Sequence, residues 1–330
     1  MSVEMSVEQT LIIVKPDGMA KGLVGQIIRS LQEHNLRVVD QAHLQLERGW
    51  VESLYSEERD EVYFTEVVEW VSSAPVLLLK IEGDGAVDLV KWRIIGRYPE
   101  GIRGQYSENW IKNVAHAPDS LESALHELRL AEPIFERSRQ MYESRFSGKM
   151  VFALTGMSEC GKSTVGKYLD SKGIARLKIV KLFEKVRNKW SPNEELYAFV
   201  GQQEKRDPYA LWDAFIDELI AEMDYLNANA VSIESLYGGG LGPYLKQKLG
   251  QHFCVIFLDV PLEVRLVRQM QRENLPDIES ARRHLLPRDE IKERSGIPAL
   301  KEIAGEVVDN SGTLEELYRK IDQLVQRHLP

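Results

Sequence analysis

A chain of 330 residues with 43% hydrophobic and 28% charged residues is long for one core, comfortable for two ordinary domains, and balanced as soluble globular proteins are. Its formal net charge of −9 argues against a nucleic-acid surface and leaves free nucleotides as the better class of anionic partner. No apolar run reaches the roughly 20 residues that a membrane span requires. The opening repeat MSVEMSVE lacks the basic and apolar regions of a signal peptide and is set aside from the fold argument. Cys160 and Cys254 stand far from metal-ligand spacing, so a reduced, cytoplasmic protein without disulfides is expected.

In chain order, TLIIVKP and PVLLLKIEG read as short apolar strands bounded by turn residues, while GLVGQIIRSLQEHN and TEVVEWVSSA carry helical spacing. SLESALHELRLAE opens with Ser120 and Glu122 as cap and first turn. A charged helix then runs from Arg129 towards Ser147-Gly148, where glycine follows a helix end. This alternation favours an α+β sandwich. The apolar strand Met150–Thr155 starts afresh, so the seam is placed near Gly148, giving domains 1–148 and 149–330.

Beyond the seam come a glycine-rich turn, a helix over Lys162–Ser171 and a long helical stretch near Pro208–Leu226. Strands AVSIES and CVIFLDV follow, then the polar helical segment PLEVRLVRQMQREN. GEVVDNSG reads as a last strand and TLEELYRKIDQLVQRHL as a last helix. Apolar strands separated by helices predict a parallel sheet covered on both faces.

Gly156-x-x-x-x-Gly161-Lys162-Ser163 matches the phosphate-loop pattern between a strand and a helix. Such a loop turns backbone N–H groups towards a β-phosphate at the positive end of the helix. Lys162 would reach the β- and γ-phosphates, Ser163 would hold Mg²⁺, and Thr164 would stand beside them. This half resembles the nucleoside-monophosphate-kinase-like group, nearest its dephospho-CoA kinase and small nucleotide kinase branch. The likeness lies in ALTGMSECGKST, VIFLDVPLEVRLVRQMQREN and VVDNSGTLEELYRKI. It implies an α/β P-loop NTPase domain, ATP as phosphoryl donor, and lid arginines that neutralise the transferring group. Arg265, Arg268, Arg272, Arg288 and Arg294 are the candidates.

One departure concerns the acceptor. No Asp follows the loop helix; Arg176, Lys178, Lys181 and Arg187 stand there instead, as acceptor-phosphate ligands or as surface charge. Glu234 is placed as a metal-side carboxylate, and GGGLGP after it permits close approach of a ligand. The acceptor stays open between a nucleoside or deoxynucleoside monophosphate, dephospho-CoA and another small alcohol.

In the first half, TLIIVKPDGMAKGLVGQII and, about a hundred residues later, IRGQYSENWIKNVAHAPDSLESALHEL resemble nucleoside diphosphate kinase over Gln9–Phe135. The resemblance implies a ferredoxin-like sandwich and transfer through a phosphohistidine, for which a ring with one attacking and one tethered nitrogen is suited. His116 matches the phosphorylated residue and Glu127 the carboxylate that orients it. Lys15 and Arg103 match the phosphate cations, Tyr55 a phosphate-contacting phenol, Asn113 a sugar-side residue, and Tyr63 the ring stacked on the base. The further phosphate arginine has no clean counterpart: Trp92 falls there, with Arg93 beside it and Arg97 nearby. The segment IGRYPEGIR is shorter than in the family, and Ala117-Pro118 replace Gly-Ser. The family's loop contributes to trimer contacts, so a homo-oligomer is left open. Together the halves imply a bifunctional enzyme using nucleotides; the rival is a first half that only senses nucleotide.

Overall fold

A computed structural model describes residues 7–96, 101–237 and 240–329. Met1–Ser6 of the opening repeat, Arg97 with the rest of residues 97–100, and Gly238-Gly239 lie outside the described residues. The chain groups into two compact units, Met1–Gln140 with Val200–Leu211, and Met141–Phe199 with Trp212–Pro330.

The first unit is built on a four-stranded antiparallel sheet in the order β2-β3-β1-β4, with β1 Glu8–Val14, β2 Arg37–Leu44, β3 Val76–Gly83 and β4 Ala115–His116. The end of β1 is buried from Leu11 to Val14, as expected of a central strand. Helices α1 (Pro16–Ala20), α2 (Val24–Glu33), α3 (Arg48–Leu54) and α4 (Phe64–Ser72) follow. Helix α5 (Ala86–Asp88) runs into a π-helical turn over Leu89–Ile95, and α6 (Gly101–Tyr106) precedes β4. Apolar residues of β1, β3, α3 and α4 close one core with Ile111, Leu128 and Phe135. This is the ferredoxin-like arrangement expected.

The two helical segments read after Ser120 are one helix, α7 (Leu121–Arg145), of 25 residues with Pro133 inside it. The Ser120 hydroxyl accepts from the Ser123 amide at 3.1 Å and caps its start. Strands β2 and β4 were not anticipated.

The second unit carries a five-stranded sheet in the order β6-β7-β5-β8-β9, every pair parallel. Its strands are β5 Met150–Thr155, β6 Ala175–Lys178, β7 Ala230–Glu234, β8 Phe253–Asp259 and β9 Glu306–Asp309. Helix α8 (Lys162–Ser171) follows β5, and α9 (Ile179–Trp190), α10 (Leu196–Arg206) and α11 (Pro208–Tyr225) come before β7. Helix α12 (Leu241–Leu249) leads to β8, α13 (Leu262–Glu273) and α14 (Ile278–Arg294) to β9, and α15 (Leu314–His328) closes the chain. Strand order reverses at β5, and in open parallel sheets ligands settle beyond the carboxyl end of the strand at that point. The loop Gly156–Gly161 leaves β5 there. Cys160 and Cys254 are buried and unbridged. No helix among the described residues is long and apolar enough to cross a membrane.

Candidate functional site

The chemistry of the first unit converges on the short strand β4. Its register against β1 sets His116 opposite Ile13 and Ala115 opposite Val14, which puts the imidazole next to the end of β1, where Lys15 begins. The His116 Nε2 is 2.8 Å from the Glu127 carboxylate on α7. A carboxylate can only accept there, so Nε2 carries the hydrogen and Nδ1 keeps its lone pair. The Tyr55 hydroxyl lies 3.5 Å from Nδ1, edge-on to the ring. Burial holds the Tyr55 phenol well above its ordinary range, neutral and able to donate.

Lys15 is buried and donates to Asn113 Oδ1 at 2.8 Å. Desolvation, with Arg103 next in weight, brings its ammonium down to about 7. Arg103 donates through Nε and Nη2 to the Ala115 carbonyl at 2.9 and 2.8 Å. Tyr63 is 40% exposed at the start of α4, where a planar ligand can reach its face. The structure therefore gathers His116, Glu127, Tyr55, Lys15, Asn113 and Arg103 in one site.

Arg93 is exposed, with no hydrogen bond or ion pair to a described residue. Lys91, two residues earlier on the π-helical turn, instead donates to the Ala117 carbonyl at 2.6 Å, directly after His116. Single-turn π segments recur at functional sites. Glu58 was missed in the sequence. Burial raises its carboxyl above the usual range while the His116 charge opposes that, so it belongs to the same electrostatic site. Its signal was present, since it stands three residues after Tyr55 on the same helical face.

In the second unit, Gly156 and Gly161 adopt φ of 131° and 101°. A side chain at Gly156 would meet the Leu258 carbonyl 2.5 Å from its Cβ, so only glycine fits. Lys162 folds back, donating to the carbonyls of Gly156 and Met157 at 2.7 and 2.9 Å. Ser163 is exposed, Thr164 half-buried beside it, and the Ser163 hydroxyl takes no hydrogen bond from a described residue. Helix α14 is tied to the loop through Asp289, which accepts from the Ser158 amide at 2.9 Å and pairs with buried Arg265.

Three of the lid candidates meet at Glu159, inside the loop. Arg272 reaches its carboxylate at 2.6 Å and Arg288 at 3.4 Å, while Arg268 donates to its carbonyl at 3.4 Å and to that of Asn310 at 2.7 Å. Arg294 does not join them; it pairs with Glu290 one turn back on an exposed face of α14. Arg176 and Glu234 are bound to each other, at 2.5 and 2.8 Å. Their neighbouring strands β6 and β7 bring them together, so neither stands free for an acceptor phosphate or a metal. Lys181 pairs with Glu184, and Arg187 with the Glu194 carbonyl.

Comparison with known proteins agrees with this geometry over the first unit. The family model described as Nucleoside diphosphate kinase matches residues 8–136. The nucleoside diphosphate kinase of Staphylothermus marinus is 39% identical over 132 residues, 38% of this chain and 93% of that protein. That of Saccharolobus solfataricus is 36% identical over 132 residues, covering 38% and 95%. A crystal structure of the Aquifex aeolicus enzyme aligns at 34% identity and a TM-score of 0.36, over 38% of this chain and 94% of that one. Through residues 8–136, in which a histidine held by a carboxylate stands near Lys15 and Arg103, the chain belongs to the nucleoside diphosphate kinase family.

Proposed function

We propose that the protein is a bifunctional nucleotide phosphotransferase. Residues 1–148 exchange phosphate between nucleoside tri- and diphosphates, and residues 149–330 form a P-loop kinase that phosphorylates a nucleoside or deoxynucleoside monophosphate. For the first activity, the carrying observation is the Glu127 contact with His116 Nε2 at 2.8 Å, which leaves Nδ1 as the nucleophile. Nδ1 attacks the γ-phosphorus, the bond to the bridging oxygen breaks, and the diphosphate leaves. Glu127 stabilises the positive charge that forms on the ring. Lys15 and Arg103 spread the charge on the transferring oxygens, and Tyr55 donates to them. An incoming diphosphate reverses the step and restores the free histidine.

The second activity is supported by the glycine loop at the carboxyl end of β5, the lysine opening α8, and the arginines gathered at Glu159. The free Ser163 hydroxyl suits a hard cation, whose other ligands would be phosphate oxygens and water. Bound with the nucleotide, Mg²⁺ would offset phosphate charge. Consecutive reactions on one chain raise the local concentration of the shared diphosphate.

The test uses the His116→Ala protein with ATP, Mg²⁺ and a panel of ribo- and deoxyribonucleoside monophosphates plus dephospho-CoA, with products separated by chromatography. One monophosphate converted to its diphosphate, and carried on to triphosphate by the wild type, upholds the proposal. Turnover of dephospho-CoA alone replaces the acceptor. Silence across the panel removes the second activity.

A further inference from the structure

Two lysines meet at the glycine loop with no carboxylate shared between them. Lys292, on α14, is half-buried, and its side-chain contact is with another cation, Lys162. The groups acting on it are Lys162 at the start of α8, which is in side-chain contact with it, Cys160 in the loop, and Asp289 one turn earlier on its own helix. Asp289 offsets this only in part, because that carboxylate is also engaged by Arg265 and by the Ser158 amide. Burial and the neighbouring Lys162 bring the Lys292 ammonium down to about 7.

Such a placement costs stability. A lysine on a helix surface swings into water at little cost, whereas one held beside a second ammonium in a half-buried position opposes folding. It becomes favourable when a polyanion enters between the two. The surroundings suit that arrival. The Asp289 contact fixes the preceding turn of α14 against the loop, and Lys292, three residues on, shares its helix face. Arg288 from the same helix and Arg272 from α13 are held at Glu159 in the same loop.

We propose that Lys292 is a ligand for the phosphate chain of a nucleoside polyphosphate in the second unit, acting with Lys162 as a two-lysine clamp. The proposal rests on reading the glycine loop as a nucleotide site. It adds a contact from α14 that the loop motif does not contain, and it gives the site preference for phosphate-rich ligands over the nucleoside alone.

The test is a site-count titration of the full chain with Mg²⁺ and the non-hydrolysable triphosphate AMPPNP, repeated with adenosine. Wild type, Lys162→Ala, Lys292→Gln and Lys292→Arg are compared. The expectation is two AMPPNP sites per wild-type chain, one of which is lost in Lys162→Ala. In Lys292→Gln that same site weakens by about tenfold or more, the size expected for a charged hydrogen bond. Lys292→Arg stays within about threefold of wild type because it keeps a charged donor, and adenosine binding is unchanged throughout. An unweakened second site in Lys292→Gln overturns the proposal and leaves the loop as a nucleotide site. Equal loss in Lys292→Arg also overturns it, since packing rather than charge would then have been removed. One site in the wild type, unaltered in Lys162→Ala, removes the underlying reading together with the clamp.

Discussion

The carboxylate of Asp17 accepts a hydrogen bond from the backbone amide of Val114 at 2.8 Å, and Val114 holds a φ of +64°. A β-branched residue in the left-handed region is strained, and this one stands two positions before His116. The Lys15 amide grips the Val114 carbonyl at 2.9 Å. A Cβ on Gly18 would come within 2.2 Å of that carbonyl oxygen. The sequence KPDG thus serves as a clamp on the strand that carries the histidine. Asp17→Ala is expected to destabilise the first unit by about 1–3 kcal/mol, the cost of an orphaned buried amide. It should also slow phosphohistidine formation; denaturant midpoints and rapid-quench labelling measure the two effects.

Glu127→Gln keeps the shape of the ring's partner but offers an amide that can donate to Nε2. The hydrogen then moves to Nδ1 and blocks the attacking lone pair. Acid-labile phosphate incorporation from γ-labelled ATP should slow by about a hundredfold, within the range for acid–base assistance. An unchanged rate would mean that the amide oxygen accepts from Nε2–H as the carboxylate does and that the carboxylate charge is not needed.

The depressed Lys15 ammonium gives a pH dependence of known sign. Between about 7 and the ordinary lysine value of 10.5, the unfolded chain holds a proton that folded Lys15 has lost, so this residue makes stability rise with pH in that window. Below about 7 both states are protonated and the full cost remains. Lys15→Met should therefore be more stable than wild type at pH 7, by on the order of 1–3 kcal/mol. That advantage should shrink by pH 10 in urea melts, while phosphotransfer is abolished.

On the proposed reading of the loop, Glu159 competes with nucleotide for Arg272 and Arg288. Their side chains are 58% and 43% exposed, so each pair is weak, and releasing them should have a modest effect. Glu159→Gln is expected to tighten AMPPNP at the second site by about two- to fivefold, read by calorimetric titration. Weaker binding would show that the carboxylate helps to shape the loop.

Most of the candidate cluster of the first unit was legible in the sequence because Lys15, Arg103, Asn113 and His116 lie in short, ordered motifs around β1, α6 and β4, with Glu127 one helix later on α7. Strand β2 was harder to see. A bulge between Val38 and Asp40 breaks its alternation, and buried Asp40 is paired with Arg139 from α7, a partner about a hundred residues away. Strand β4 is only two residues long, below any periodic signal. Lys91 was hidden because a π-helical turn displaces the ordinary helical spacing. In the second unit the loop stood out, while the Arg176–Glu234 pair did not. Strand adjacency makes that pair, and chain order alone does not supply adjacency.

Lys162 ends its own search for partners inside the loop, on the carbonyls of Gly156 and Met157. A ligand arriving there exchanges these, together with the weaker contact to Cys160 Sγ at 3.3 Å, for new ones, so much of the heat released by the contact is consumed in breaking the old arrangement. Calorimetry on the second site should accordingly find a small enthalpy for so ionic an encounter, with displaced water and counter-ions supplying the drive. Adding salt should then weaken binding more strongly than warming does.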